Sequence, residues 1–144
     1  MRVLATMLLA TAILGGPGEA RAGESVDYLY RLHCSGCHGL DGDGSRLGRI
    51  PPFAGIVGHF AGTRRGRLYL VNVPGVANAA LPDSETAELL NYVLQTWGAR
   101  DLDSAKHFTP EEVHDLRNVR VDDVAALRRA LAVELAKRRI SIAY

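Results

Sequence analysis

Two cysteines and a histidine share one pentapeptide, Cys34-Ser35-Gly36-Cys37-His38, and this spacing constrains the fold more than any other feature of the chain. Two thiols three positions apart can reach both vinyl groups of a haem, and the histidine that follows presents an imidazole to the iron. The motif predicts one covalently bound haem c. Cys34 and Cys37 are then the thioether residues, and His38 is the proximal axial ligand.

Three other interpretations of the motif compete with haem: a redox dithiol, half of a zinc site and a structural disulfide. A thioredoxin-like dithiol follows a strand in a βαβ unit, and the sequence has no such unit. A zinc site needs a fourth ligand and usually a second close pair, whereas only scattered histidines remain. Two cysteines in 144 residues are too few for a disulfide scaffold, so the core must come from apolar burial or from a bound group.

The N-terminus has the pattern of an export signal. Arg2 precedes an apolar run from Val3 to Leu14, and Ala20-Arg21-Ala22 follows a Gly/Pro break. The pattern predicts a signal peptide over residues 1–22 and a protein located in the periplasm or otherwise exported. The apolar run is shorter than the roughly 18 residues that span a bilayer, so we expect no membrane span. A formal net charge of +1 does not favour nucleic acid as a partner.

The rest of the chain has helical spacing and no strand pattern, which predicts an all-α fold. Residues 23–99 are expected to form the haem domain and residues 100–144 a helical extension packed on or near it. Gly-rich residues 55–62 are expected to be irregular, residues 67–73 to form a short helix and residues 74–82 a turn. The predicted N-caps are Ser25, Asp83 or Ser84, Thr109 with a capping box, and Asp122. The arginines of the helix that begins after Asp122 are expected to lie in solvent.

From about residue 25 to residue 97 the chain resembles the class I c-type cytochromes. A helix leads into the motif in YLYRLHCSGCHGLDGDG, an approximate Pro-x-Leu-x-Gly-like element follows as PPFAG at residues 51–55, and LPDSETAELLNYVLQTW matches the last helix. The resemblance implies a helical domain around one haem. It also implies that the Pro51 carbonyl accepts the other ring N–H of His38, which would tune the imidazole as a ligand.

The chain departs from this family on the distal side of the haem. Its only methionines, Met1 and Met7, fall within the predicted signal peptide, and residues 74–81 contain none. The usual histidine/methionine ligation is therefore excluded for a mature chain. The iron is left five-coordinate or water-bound, or is bound by His59 or His107, or weakly by Asn78. Two further histidines are not expected to reach the iron, His33 because it adjoins Cys34 and His114 because its helix position is on the surface.

Two functions are compatible with these features. The first is an electron carrier, or the redox subunit of a dehydrogenase system, that moves single electrons between a dehydrogenase-type donor and a downstream acceptor. Residues 31–67 carry a net charge of +4, which favours an acidic redox partner, although the same arginines could bind haem propionates or only be solvated. The alternative is an open-site haem protein that binds a gas or peroxide, with sensing or peroxidase-like activity.

Overall fold

The computed structural model describes residues 25–98 and 107–142. The predicted signal peptide and residues 99–106, where the predicted extension begins, lie outside these ranges. The helices are α1 (Val26–His33), α2 (Ser35–His38), α3 (Val57–Ala61), α4 (Arg64–Asn72), α5 (Pro74–Ala77), α6 (Asp83–Val93), which continues as a π-helical turn (Leu94–Gly98), α7 (Pro110–Arg117) and α8 (Val124–Lys137). The described residues form no strand beyond one isolated bridge, so the predicted all-α fold class is confirmed. None of these helices is both long and apolar enough to cross a membrane.

The first helix begins at its predicted cap. The Ser25 hydroxyl accepts a hydrogen bond from the Tyr28 N–H, and the helix buries Leu29 and Tyr30. It does not run through the cysteine motif. Cys34 stays in the right-handed region and donates its N–H to the Tyr30 carbonyl, but its φ of −120° is far from the usual helical value and separates α1 from the single turn α2. The motif therefore lies at a bend at the end of α1.

Aromatic rings join α1 to α6. The ring of Tyr30 packs against Trp97 at 5.0 Å, Tyr92 at 5.7 Å and Phe53 at 6.4 Å between centroids. Its hydroxyl donates a 2.6 Å hydrogen bond to the Gly39 carbonyl just after the motif. Burial raises the pKa of Tyr30 to about 12, so the phenol stays neutral and keeps its proton for this bond. This cluster fixes the position of the motif relative to α6.

Residues 55–62 are not irregular as expected, because α3 forms within them. Val57 and Phe60 are buried on it, and its Gly58 packs directly against Gly98 of the π-helical turn. A Cβ at Gly98 would lie 3.3 Å from the backbone nitrogen of Gly58. The glycines thus serve close packing between two helical segments and do not break the chain.

Of the two helix caps predicted for α7 and α6, the first is confirmed and the second is wrong. The Thr109 hydroxyl accepts from the Glu112 N–H, as predicted, but Glu112 pairs with Arg67 and does not close the capping box. The prediction of Asp83 or Ser84 as a cap is wrong, because the N-cap is Pro82 and Asp83 pairs with Arg117.

Three further boundaries differ from the predictions. The cap of α8 is Asp123 and not Asp122, since the Asp123 carboxylate accepts from the Ala126 N–H. The helix expected over residues 67–73 begins earlier, at Arg64, because Thr63 caps it. Residues 74–82 are not all turn, because Pro74 starts the short helix α5.

The C-terminal helices pack on the N-terminal part of the chain. Helix α7 contacts α4 and α6, and α8 contacts α4. Arg67 connects α4 to α7: its guanidinium makes two 2.5 Å hydrogen bonds to the Glu112 carboxylate and lies 3.7 Å from the centroid of the Phe108 ring. Asn91 holds Phe108 from the other side through both backbone groups. The boundary between a domain over residues 23–99 and an extension over residues 100–144 stays a prediction.

Replacing Arg67 with alanine should destabilise the protein by about 2–3 kcal/mol, because it leaves the Glu112 carboxylate partly buried without its cation. Arg65→Ala is the matched control on the same helix. Arg65 also pairs with a glutamate, Glu134, but both side chains are about half exposed, so its loss should cost under about 1 kcal/mol. Chemical denaturation of the two variants checks the difference. Equal losses would contradict a structural role for the Arg67 pair.

Candidate functional site

A cavity of about 500 Å³ lies between the cysteine motif and the helices that follow it. One wall is formed by α1, α2 and residues 50–53. The other walls come from α3 to α6 and from the start of α8. The lining is mostly apolar, and the volume is within the range of ligand sites that enclose a small organic molecule.

The motif lines one wall of this cavity with all three of its chemical groups. Cys34 and His38 are half-buried and Cys37 is exposed. The bend at Cys34 brings them together, since the His38 N–H donates to the Cys34 carbonyl at 2.9 Å. Both thiols are free, and burial raises the pKa of Cys34 to about 11. The wall thus offers two thiols and one imidazole to the same cavity.

The ring of His38 is held in place by packing. It stacks on Phe53 with centroids 4.0 Å apart and an interplanar angle of 17°. Burial lowers the pKa of His38, and the adjacent Pro51 carbonyl opposes that shift. The Nδ1 atom is buried and makes no full hydrogen bond within the described residues, so the Pro51 carbonyl lies beside the ring without completing one. The histidine is therefore neutral and oriented, as a metal ligand must be.

The loop between His38 and Pro51 is closed at Gly44. Its N–H donates to the His38 carbonyl at 2.9 Å, and its φ of +69° is in the left-handed region that favours glycine. A Cβ there would lie 2.6 Å from the Pro51 carbonyl oxygen. Next to it, Ser45 and Ile50 exchange two 2.8 Å backbone hydrogen bonds. Gly44 thus lets the backbones of His38 and Pro51 come close to each other. The DGDG sequence at residues 41–44 closes the loop between them.

The structure does not bring the sequence-predicted distal residues to the cavity. His59 lines a separate hollow of about 100 Å³ between α3 and α8. His107 is exposed, as is Asn78 at the C-cap of α5, and neither lines the cavity. Of the two histidines not expected to reach the iron, His33 does line the cavity on the motif side, whereas His114 is exposed and lies 3.2 Å from Asp83.

One residue at the cavity was missed by sequence reasoning. Arg128 was expected in solvent with the other arginines of its helix, but it lines the cavity together with Val124 and Ala125. Its Nε and Nη2 atoms are shielded from solvent. The signal that could have found it is its position one helical turn after Val124, which places both on one face of α8.

The residues present fit a covalently attached haem. The walls are apolar, as a porphyrin requires, and one side carries two thiols and an oriented imidazole. No family model matches the sequence. A cytochrome c-552 from Thermus thermophilus is 35% identical over 129 residues, covering 76% of this chain and 84% of that protein. A second cytochrome c-552 from Thermus thermophilus is 36% identical over 103 residues, covering 58% and 78% respectively.

The chain belongs to the class I monohaem c-type cytochromes. Its cofactor is one covalently bound haem c, and it is an electron carrier that works with a redox partner protein.

Gly44→Ala should shift the environment of His38, because the added methyl group would displace the carbonyls of Ile50 and Pro51, and the Pro51 carbonyl lies beside the ring. Gly55→Ala is the matched control, since Gly55 has a similar φ of +72° but a Cβ added there would meet no atom within 4 Å. Both variants should lose about 1–2 kcal/mol from the left-handed backbone, and Gly44→Ala should lose more because its Cβ also meets the backbone of Ile50 and Pro51. The visible spectrum and reduction potential of the haem protein should change in Gly44→Ala alone. Equal changes in both variants, or none, would contradict this role of Gly44.

Proposed function

We propose that this cytochrome moves single electrons between a dehydrogenase-type donor and a downstream acceptor in the periplasm, after removal of residues 1–22. The observation that carries the proposal is the meeting of Cys34, Cys37 and His38 at the wall of one apolar cavity. The N-terminal charge and hydrophobic pattern supports export.

Each residue of this wall has a distinct part. Cys34 and Cys37 would hold the haem through thioether bonds, and His38 would bind its iron from the same wall. When bound, the haem supplies a one-electron ferric/ferrous couple. The stack on Phe53 fixes the plane of the imidazole, and the neighbouring Pro51 carbonyl strengthens it as a ligand once their hydrogen bond closes. The apolar walls exclude water, which limits solvent reorganisation as the charge changes.

A surface beside the motif suits docking of the redox partner. Cys37 is exposed, and near it in the chain Leu40 and Leu47 are 61% and 98% exposed. Arg46 next to Leu47 is also exposed. This favours a partner with an apolar contact patch and an acidic rim, whose attraction weakens with salt.

The positive charge available for docking is smaller than the sequence count implies. Within the part of the chain that the structure describes, at least three of the six arginines between residues 31 and 67 pair with carboxylates. They are Arg31 with Asp27, Arg65 with Glu134 and Arg67 with Glu112. The acidic rim of the partner would therefore face the loop that follows His38, and not all of residues 31–67.

Replacing both cysteines with alanine should abolish covalent attachment, while Cys34→Ala or Cys37→Ala alone should leave one thioether. Acidified organic solvent should extract haem from the double variant and not from the wild type. The reduced pyridine complex of each single variant should report one remaining vinyl group. Ser35→Ala is the matched control within the motif and should retain both bonds. Covalent haem in the double variant would contradict the assignment of these two thiols.

A second candidate function follows from the distal side. The chain has no methionine beyond Met7, and neither His59, His107 nor Asn78 lines the cavity. Only the ten residues 73–82 connect α4 to α6, and six of them belong to α5 or its caps. We propose that the iron keeps an open position that takes a gas or peroxide, which supports ligand sensing or peroxidase-like activity beside electron transfer.

Carbon monoxide tests the open position directly. The reduced protein should be high-spin, and its absorption should shift when carbon monoxide is added. Imidazole added beforehand should slow or prevent the shift, because it competes for the same position. A low-spin spectrum that carbon monoxide does not change would mean a firm sixth ligand from the protein and would exclude this second function.

A further inference from the structure

Arg128 brings a permanent positive charge into an otherwise apolar cavity. Within the described residues it is the one Lys, Arg, Asp or Glu side chain in the lining. It reaches this position because Val124, Ala125 and Arg128 share a face of α8, and because Leu131 and Leu135 anchor that helix in the core. The Nε and Nη2 atoms are hidden from solvent. The charge therefore acts across a region of low dielectric, where its field is strong.

A guanidinium in this setting selects for anions. Its planar donors match a carboxylate in a two-pronged geometry, and they attract other small anions by charge. A neutral ligand gains little from it. The wall that α8 adds to the cavity is thus chemically distinct from the thiol and imidazole wall on α2.

We propose that Arg128 makes the α8 wall of the cavity an anion-binding site; this rests on the proposed haem attachment at Cys34, Cys37 and His38. The anion is a carboxylate or a small inorganic anion. It has two chemical sources: a propionate of the haem itself, or an external anion that enters at the open iron position. In either case the C-terminal helix acts directly on the haem and is more than a cover over the domain.

The charge of Arg128 should also affect the reduction potential of the haem. A nearby cation stabilises the ferrous state, which carries less positive charge, and so raises the reduction potential. Removing Arg128 should therefore lower the potential. Arg129, the next residue on α8, is 69% exposed and pairs with Asp123, so its removal should leave the potential unchanged.

The test compares Arg128→Met, Arg128→Lys and the control Arg129→Met as haem-loaded proteins. The readouts are the reduction potential against pH, the dissociation constant of azide for the ferric protein, and that of carbon monoxide for the ferrous protein. If a propionate is the partner, Arg128→Met lowers the potential and makes it depend on pH in the acidic range, with azide affinity unchanged. If an external anion is the partner, azide binding weakens about tenfold or more, while carbon monoxide binding is unchanged.

Arg128→Lys keeps the charge without the two-pronged geometry, so it should change the same readout as Arg128→Met by a smaller amount. It carries the test if Arg128→Met takes up no haem. The proposal is overturned if potential, azide affinity and pH dependence in the Arg128 variants match those of Arg129→Met. Absence of covalent haem from the wild-type protein would instead overturn the proposed attachment, and this separates the two failures.

Discussion

The cavity beside the cysteine motif is the constraint on which the rest of the structure depends. Its walls are mostly apolar and come from α1 to α6 and the start of α8. Without a bound group this apolar surface would face water, at a cost of roughly 25 cal/mol for each Å² exposed. The helices of this chain are therefore arranged around a group that completes their core. The haem is part of the folded structure as well as the redox centre.

The proximal wall shows how short-range geometry positions the chemistry. The bend at Cys34 turns both thiols and the imidazole towards the cavity, and the stack on Phe53 sets the plane of the His38 ring. Gly44 then brings the backbones of His38 and Pro51 together, in a way that a residue with a side chain could not. The aromatic cluster around Tyr30 secures this unit against α6. The orientation of the His38 imidazole thus depends on its packing against Phe53 and on the loop that Gly44 closes.

The sequence predicts those features whose cause lies within a few residues. The haem motif, the all-α class and the caps at Ser25 and Thr109 all depend on local spacing. The cap at Asp83 fails because Arg117, 34 residues away, draws that carboxylate into an ion pair. Helix α3 was missed because Gly58 looks like a break in sequence and becomes a contact point only when Gly98 packs against it.

The residues opposite His38 could not be predicted from the sequence for the same reason, because their positions depend on long-range packing. The lack of methionine after Met7 is visible in the sequence, but the positions of His59, His107 and Asn78 depend on how α3, α5 and the C-terminal helices pack. Arg128 appears in sequence as one of several arginines beside an apolar stripe. Only the placement of α8 against α4 shows that it faces the cavity.

The central claim, that the haem completes the core, is tested most directly by thermal unfolding of residues 23–144 produced without haem attachment, followed by far- and near-ultraviolet circular dichroism. If the haem completes the core, the haem-free chain keeps residual helical content but has no fixed aromatic signal and no cooperative transition, and the haem-loaded protein shows both. A sharp, native-like transition of the haem-free chain would show that its helices pack stably by themselves and would contradict the account.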